Sequence, residues 1–268
     1  MKYIKDKEIG KSARGEIIGE LSSNKRAIEF FNYMENDRNI QTLLEHGNTV
    51  AIGRLNYNDH GLTHSRISSL NALRILKILN ESGITPTLVK EHTGTYEDSQ
   101  VAVLGSAYLH DIGNAVHRNL HYFYGPILIN SFLENFLPKI YNDIRKAIKI
   151  RASILEYVYT HDENVQCISI EGGCVSVGDG TDMANGRARV PFSRGKFDIH
   201  SLSALAIESV KIKKGNERPV LIEIGMRNHA GIFQVQEVLG PKIKTSSIEK
   251  YIAVLPVING KALTHHTF

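Results

Sequence analysis

A histidine and an aspartate stand side by side at His110-Asp111, near the end of an apolar stretch that reads as a helix from about Asp98 to Ile112. On that helix Leu104, Ala107, Tyr108 and Asp111 share one face, because positions three and four apart are neighbours. The carboxylate is therefore aimed at the apolar interior, where an unpaired charge is expensive and a bound cation removes the cost. His110 projects about 100° further round the helix, and near a helix end both side chains can reach one ion. A lone pair of this kind is more simply a buried histidine bonded to its neighbouring carboxylate.

Other residues shift that balance. The chain has 12 histidines and no tryptophan. His64 opens a strong helical pattern running to about Asn80, which Gly83 and Pro86 end. His121 lies just ahead of a helix that Pro126 is expected to start and that runs to about Leu137. His161 closes a helix that begins at Asp143, and it shares a face with Ile154 and Val158. Asp179 follows in Ser-Val-Gly-Asp-Gly-Thr-Asp, on a short helix expected over Val177 to Asn185. Each stands at a helix end, where a bundle can gather side chains from different helices around an ion.

The order His64, His110-Asp111, Asp179 resembles the signature of the HD superfamily of metal-dependent phosphohydrolases, and His-Asp-Ile-Gly-Asn is similar to the commonest form of its doublet. The resemblance covers roughly residues 55 to 190. It implies a helical bundle in which His64, His110, Asp111 and Asp179 hold one divalent ion. His121 and His161 match the members with two ions, Asp111 bridging. The interval from His121 to His161 is longer than is usual for those members. Asp182 is the alternative to Asp179 or its support, and His60 is the alternative to His64. Imidazole and carboxylate ligands suit Mn, Fe, Zn, Co, Ni or Mg, one or two ions per chain. The implied activity is hydrolysis of a phosphomonoester or phosphodiester in a small, nucleotide-like substrate by metal-activated water.

Asp111 and Arg118 are the first candidates for catalysis. Arg118, Arg187, Arg189 and Arg194 are candidates for holding phosphate, since guanidinium forks pair with its oxygens; each alone reads equally well as a solvated charge. A helical reading of His117 to His121 puts those two histidines on one face, making His117 a candidate proton donor beside the plainer reading as a surface residue. His46, His92, His200 and His229 carry no argument, and His265 and His266 read as tail residues. Gly10-Lys11-Ser12 lacks the upstream glycine of a phosphate-binding loop. Gly172, Gly173, Gly178 and Gly180 lack the spacing of a dinucleotide fingerprint.

The elements that must position these residues are mostly helical. The first 55 or so residues read as a helical extension, with a broken helix over Asn24 to Leu44. On the helix from Asp143, Ile144, Ile148, Leu155 and Val158 read as the apolar face. The pattern changes near residue 200. Ile207–Lys213 and Val220–Met226 have strand-like content, followed by a helix near 231–239, a further one near Ser247, and a strand at Tyr251–Ile258. The expected fold is mainly α: an HD-type helical domain over 1–200, then a small α/β domain over 201–268 that either pairs two chains or covers one side of the site.

Composition narrows the class. No apolar run approaches the roughly 20 residues that span a bilayer. The N-terminal stretch lacks the apolar core of a signal peptide, and two cysteines make no disulfide framework, so a cytoplasmic location is expected. A net charge of +4 suits anionic small molecules and gives no strong nucleic-acid signal. A homodimer is expected through an exposed sheet edge. Two alternatives stay open: a di-iron oxygenase on the same scaffold, and a non-catalytic binding or regulatory module that keeps the metal.

Overall fold

The computed structural model describes residues 2–183 and 199–263. Three helices come first: α1 (Lys2–Glu20), α2 (Lys25–Asn36) and α3 (Arg38–Asn48). Asp37 both ends α2 and caps α3, its carboxylate accepting from the Asn39 and Ile40 amides, which is the break expected inside Asn24 to Leu44. A π-turn (Thr49–Arg54) and an irregular stretch lead to α4 (Leu62–Glu81) and the short α5 (Thr87–Lys90). Then follow α6 (Tyr96–Leu109), a 3-10 turn (Ile112–Ala115), α7 (His121–Ile140), α8 (Ile144–Thr160) and α9 (Ile170–Gly180).

Helix α6 is the axis of the body. Its sequence is small and apolar on every side, and Asp98 to Leu109 are all buried. Helices α2, α4, α8 and α9 pack round it. Its start differs from the sequence expectation: Thr95 is the cap, and Asp98, expected as the cap, sits at the third position and returns a bond to the Thr95 amide. The helix also stops at Leu109, so His110 and Asp111 lie in the turn that follows.

Two glycines set the approach of the elements that carry the site. A side chain on Gly113 would meet the His121 carbonyl oxygen at 1.9 Å, so the His110–Gly113 turn and the start of α7 touch through backbone. A side chain on Gly178 would lie 2.8 Å from the Ala72 amide nitrogen, and α9 therefore lies flush on α4. The short helix expected over Val177 to Asn185 starts earlier, at Ile170, and ends at Gly180; Gly172, Gly173 and Gly178 lie inside it, and the Ser169 hydroxyl caps it. Helix α7 begins at His121, ahead of Pro126, which falls inside the helix. Ile144 and Ile148 are 56% and 47% exposed, so the apolar face read on α8 is displaced: the stripe that packs inward is Ala147, Ile150, Ile154, Tyr157 and Val158.

After α10 (Ile199–Ala206) the chain forms β1 (Ile207–Lys214) and β2 (Val220–Met226), then α11 (Ile232–Gln234), a π-turn (Val235–Leu239) and α12 (Gly240–Thr245), then β3 (Ile252–Ile258) and β4 (Lys261–Ala262). The sheet runs in the order β1-β2-β3-β4; β1 pairs antiparallel to β2, β2 parallel to β3, and β3 antiparallel to β4. Fold and sequence expectation agree here: a mainly helical protein with a small C-terminal α/β part. The apolar core nevertheless runs unbroken from α1 to β3, with β1 and β2 against α4 and α12 against α9. Among the described residues no helix is long and apolar enough to cross a membrane.

Candidate metal centre

The six residues read from the sequence as metal ligands arrive at one place. His64 comes from the first turn of α4, His110 and Asp111 from the turn after α6, His121 from the first residue of α7, His161 from the end of α8, and Asp179 from the last turn of α9. All are buried; Asp179, the least so, is 9% exposed.

Local hydrogen bonds decide which way each imidazole faces. His110 Nδ1 lies 2.9 Å from the Ala107 carbonyl, His121 Nδ1 3.1 Å from the Arg118 carbonyl and His161 Nδ1 2.6 Å from the Val158 carbonyl. A carbonyl only accepts, so each of these Nδ1 atoms carries a proton, and in the neutral ring each Nε2 presents a lone pair. His64 Nδ1 sits 2.7 Å from Asp182 Oδ2 and points its own Nε2 inward the same way. This outward tethering of one ring nitrogen is how proteins orient metal-binding histidines.

The four Nε2 atoms converge with the two carboxylates. His64 Nε2 is 3.0 Å from His110 Nε2, 3.1 Å from Asp179 Oδ1 and 3.3 Å from Asp111 Oδ2. His110 Nε2 is 3.3 Å from Asp111 Oδ2 and 3.4 Å from Asp179 Oδ1. A second group adjoins it: His121 Nε2 is 3.1 Å from His161 Nε2 and 3.4 Å from Asp111 Oδ1. With the rings neutral these atoms are acceptors facing acceptors, which repel unless a positive centre, a cation or a proton on His110, lies among them. Ligand bonds of about 2.1 Å place neighbouring donors about 3.0 Å apart at right angles and about 3.4 Å apart in a tetrahedron. The spacings and the chemistry of the donor set both fit a divalent cation. The buried groups His64-His110-Asp179, His110-Asp111-His161 and His60-His64-Asp111 could each hold a metal ion.

Electrostatics divide the rings. Burial, with Arg118 adding to it, lowers His121 to about 4; burial and the neighbouring histidines hold His161 well below its ordinary value. Both rings are thus neutral. Burial pushes Asp111 upward, but His60 and His110 more than reverse it; for Asp179 the opposing charges are Lys242 and His110, and both carboxyls stay ionised. His110 itself is held above its ordinary value by Asp111 and Asp179 in spite of its burial, so without a cation its own proton answers the two carboxylates, a positive charge in the place a bound ion would take.

No family model and no solved structure matches the chain. A protein of Methanocaldococcus jannaschii described as uncharacterized is 47% identical over 218 residues, covering 81% of this chain and 84% of that protein. The chain belongs to that protein's family. The relative's description carries no activity, so chemistry rests on the residues themselves.

The remaining expectations divide. Arg118 is at the site: its Nη1 is 3.3 Å from Asp111 Oδ1 and 3.4 Å from Asn114 Oδ1, its guanidinium lies over Tyr57, and the side chain is 27% exposed. His117 does not share a helical face with His121, because the chain between them is a loop held open by the left-handed Leu120; His117 is exposed and accepts from the Asn119 amide. Arg187, Arg189 and Arg194 lie outside the described residues, as do His265 and His266. Asp182 takes the supporting position, on His64 Nδ1, while Asp179 faces the cluster. His60, weighed as a substitute for His64, is present in addition, with its Nδ1 2.5 Å from Asp111 Oδ2.

Lys242 was not foreseen. It enters from α12, its side chain 10% exposed, and donates to Asp179 Oδ2 at 2.8 Å and to the His161 carbonyl at 2.8 Å. Burial pushes its ammonium down, but Asp179 and Glu163 hold it above its ordinary value. Nothing in Gly-Pro-Lys-Ile marks such a residue, since the signal is a contact across 63 positions between α9 and α12.

Proposed function

We propose that the chain is a metal-dependent phosphohydrolase of the HD type, cleaving a phosphomonoester or phosphodiester bond of a small, nucleotide-like substrate. The observation that carries this reading is the inward convergence of four tautomer-locked Nε2 atoms on two ionised carboxylates, in the chain order His64, His110-Asp111, His121, His161, Asp179. One or two ions from the set Mn, Fe, Zn, Co, Ni or Mg suit these ligands. What such ions contribute when bound is Lewis acidity toward a phosphoryl oxygen and a lower pKa for water.

The protein's own share is placement and charge. Asp111 offers Oδ2 to the side of His64 and His110 and Oδ1 to the side of His121, so it is the residue able to serve both halves. Asn114 fixes that carboxylate by donating to Oδ1 at 2.8 Å. Arg118, at the rim and partly exposed, is placed to meet an anionic group, where guanidinium donors match phosphate oxygens. The reading includes a cytoplasmic protein, in which the buried, unpaired Cys167 and Cys174 stay reduced. It also includes a homodimer, although β1, an edge strand among the described residues, carries exposed Lys211, Lys213 and Lys214; static light scattering of the full chain checks it, and a monomer mass removes it.

Metal-stripped protein reloaded with Mn²⁺ is expected to release phosphate or a nucleotide from a panel of aryl phosphates and nucleotides, and His110→Ala and Asp111→Ala are expected to abolish that release. Iron-loaded protein that consumes oxygen against an organic substrate, with no phosphate released, would replace this reading with the oxygenase.

A further inference from the structure

The two halves of the centre differ in what surrounds them. The half built from His64, His110, Asp111 Oδ2 and Asp179 Oδ1 has two carboxylate oxygens, and a third carboxylate, Asp182, backs His64; His60 Nδ1 meets Asp111 Oδ2 at 2.5 Å, which leaves that oxygen one further lone-pair direction. The half built from His121, His161 and Asp111 Oδ1 has one carboxylate oxygen, and that oxygen is already engaged. Asn114 Nδ2 donates to it at 2.8 Å and Arg118 Nη1 lies 3.3 Å away. A carboxylate oxygen has about two lone-pair directions, so these donors leave none for an ion. Lys242 adds a fixed positive charge between the two halves, tied to the outer oxygen of Asp179 on one side and to the His161 carbonyl on the other, where its charge also bears on the His161 ring.

We propose, resting on the metal-centre reading above, that the chain takes its first divalent ion at His64, His110, Asp111 and Asp179 alone. A second ion enters at His121 and His161 only together with a phosphate group, because Arg118 and Lys242 hold that half at too positive a charge without one. Phosphate acts twice. Its negative charge offsets the two side-chain cations, and it draws the partly exposed Arg118 off Asp111 Oδ1, freeing the lone pair that the second ion requires. Lys242, buried and tied by two short hydrogen bonds, stays in place. The metal count of the centre thereby becomes a report of whether an anionic substrate group is present.

The test is calorimetric titration of metal-stripped full-length protein with Mn²⁺, with and without inorganic phosphate, checked by equilibrium dialysis. Wild-type chain is expected to bind one equivalent tightly without phosphate and a second at least tenfold more tightly with it. Arg118→Gln and Lys242→Met are each expected to tighten the second equivalent about tenfold without phosphate and to shrink the phosphate effect. Arg118 lies at the rim, so its variant carries the comparison if Lys242→Met does not fold. Two equal equivalents without phosphate, or an unchanged second equivalent in Arg118→Gln, would overturn the proposal while leaving the metal centre standing. No Mn²⁺ bound by wild-type chain under either condition would overturn both.

Discussion

Two buried clusters of carboxylate in this protein face opposite surroundings. At the far end of α9, Glu171 is fully buried and accepts from the Thr87 amide at 2.9 Å, the Leu88 amide at 3.0 Å and the Ser99 hydroxyl at 2.8 Å. Asp98 beside it is met by Lys146 at 2.6 Å and Tyr141 at 3.0 Å. These carboxylates are answered by donors and hold α5, α6 and α8 together. At the other end of α9, Asp111 and Asp179 are equally enclosed; Asn114, Arg118 and Lys242 donate to one oxygen of each, but the oxygens turned to the site, Asp111 Oδ2 and Asp179 Oδ1, are crowded by imidazole Nε2 atoms. Burial alone does not distinguish a structural carboxylate from a functional one. The balance of donors and acceptors around it does.

The sharpest break between the clusters is expected in activity. Asp111→Ala should lower phosphate release by about a thousandfold or more, the order expected when a metal centre is lost. Glu171→Gln, assayed in parallel, should stay within a few-fold of wild type. Next in size is the response to metal. Mn²⁺ at about 100 times its dissociation constant contributes about 2.7 kcal/mol to the folded state, raising the melting midpoint by about 5–10 °C. Asp179→Asn should erase most of that rise. The reverse holds at the other cluster: Glu171→Gln should cost about 2 kcal/mol in denaturant unfolding, by the same amount in Mn²⁺ and in chelator.

The smallest effect concerns Glu156, which shares the Ser169 hydroxyl with the α9 cap. Burial, against the pull of Ser169 and with help from Glu171, pushes its carboxyl up to about 7 from 4.5. The folded chain keeps this proton to a higher pH than the unfolded chain does. Stability is therefore lost as pH rises from about 4.5 to about 7, and the loss is constant above that. Glu156→Gln should match wild type at pH 4 and melt higher at pH 8; equal shifts at both pH values would contradict the assignment.

Much of the site was legible because its residues occupy helix ends, and helix ends announce themselves. The apolar run before His110, the pattern beginning at His64 and the cap at Asp143 fixed where side chains could converge. What stayed hidden depended on packing. Lys242 belongs to a six-residue helix whose orientation only the folded core determines. Gly172 and Gly173 look like loop residues until a flush neighbour explains them: Thr160 and Tyr157 leave no room beside the first, Ile248 little beside the second. Ile144 and Ile148 have helical spacing, but α6 and α7 cover the adjacent stripe instead. The Asn259-Gly260 hairpin, by contrast, is a local signal, both residues taking positive φ in the two-residue turn that joins β3 to β4.

The central claim is that sequence-distant imidazoles and carboxylates share a divalent ion, and a metal count tests it most directly. Elemental analysis of Mn²⁺-loaded, exhaustively dialysed protein should give at least one ion per wild-type chain, and none in an Asp111→Ala chain that still unfolds cooperatively. A wild-type chain that retains no ion, or a variant that retains as many, would contradict the account.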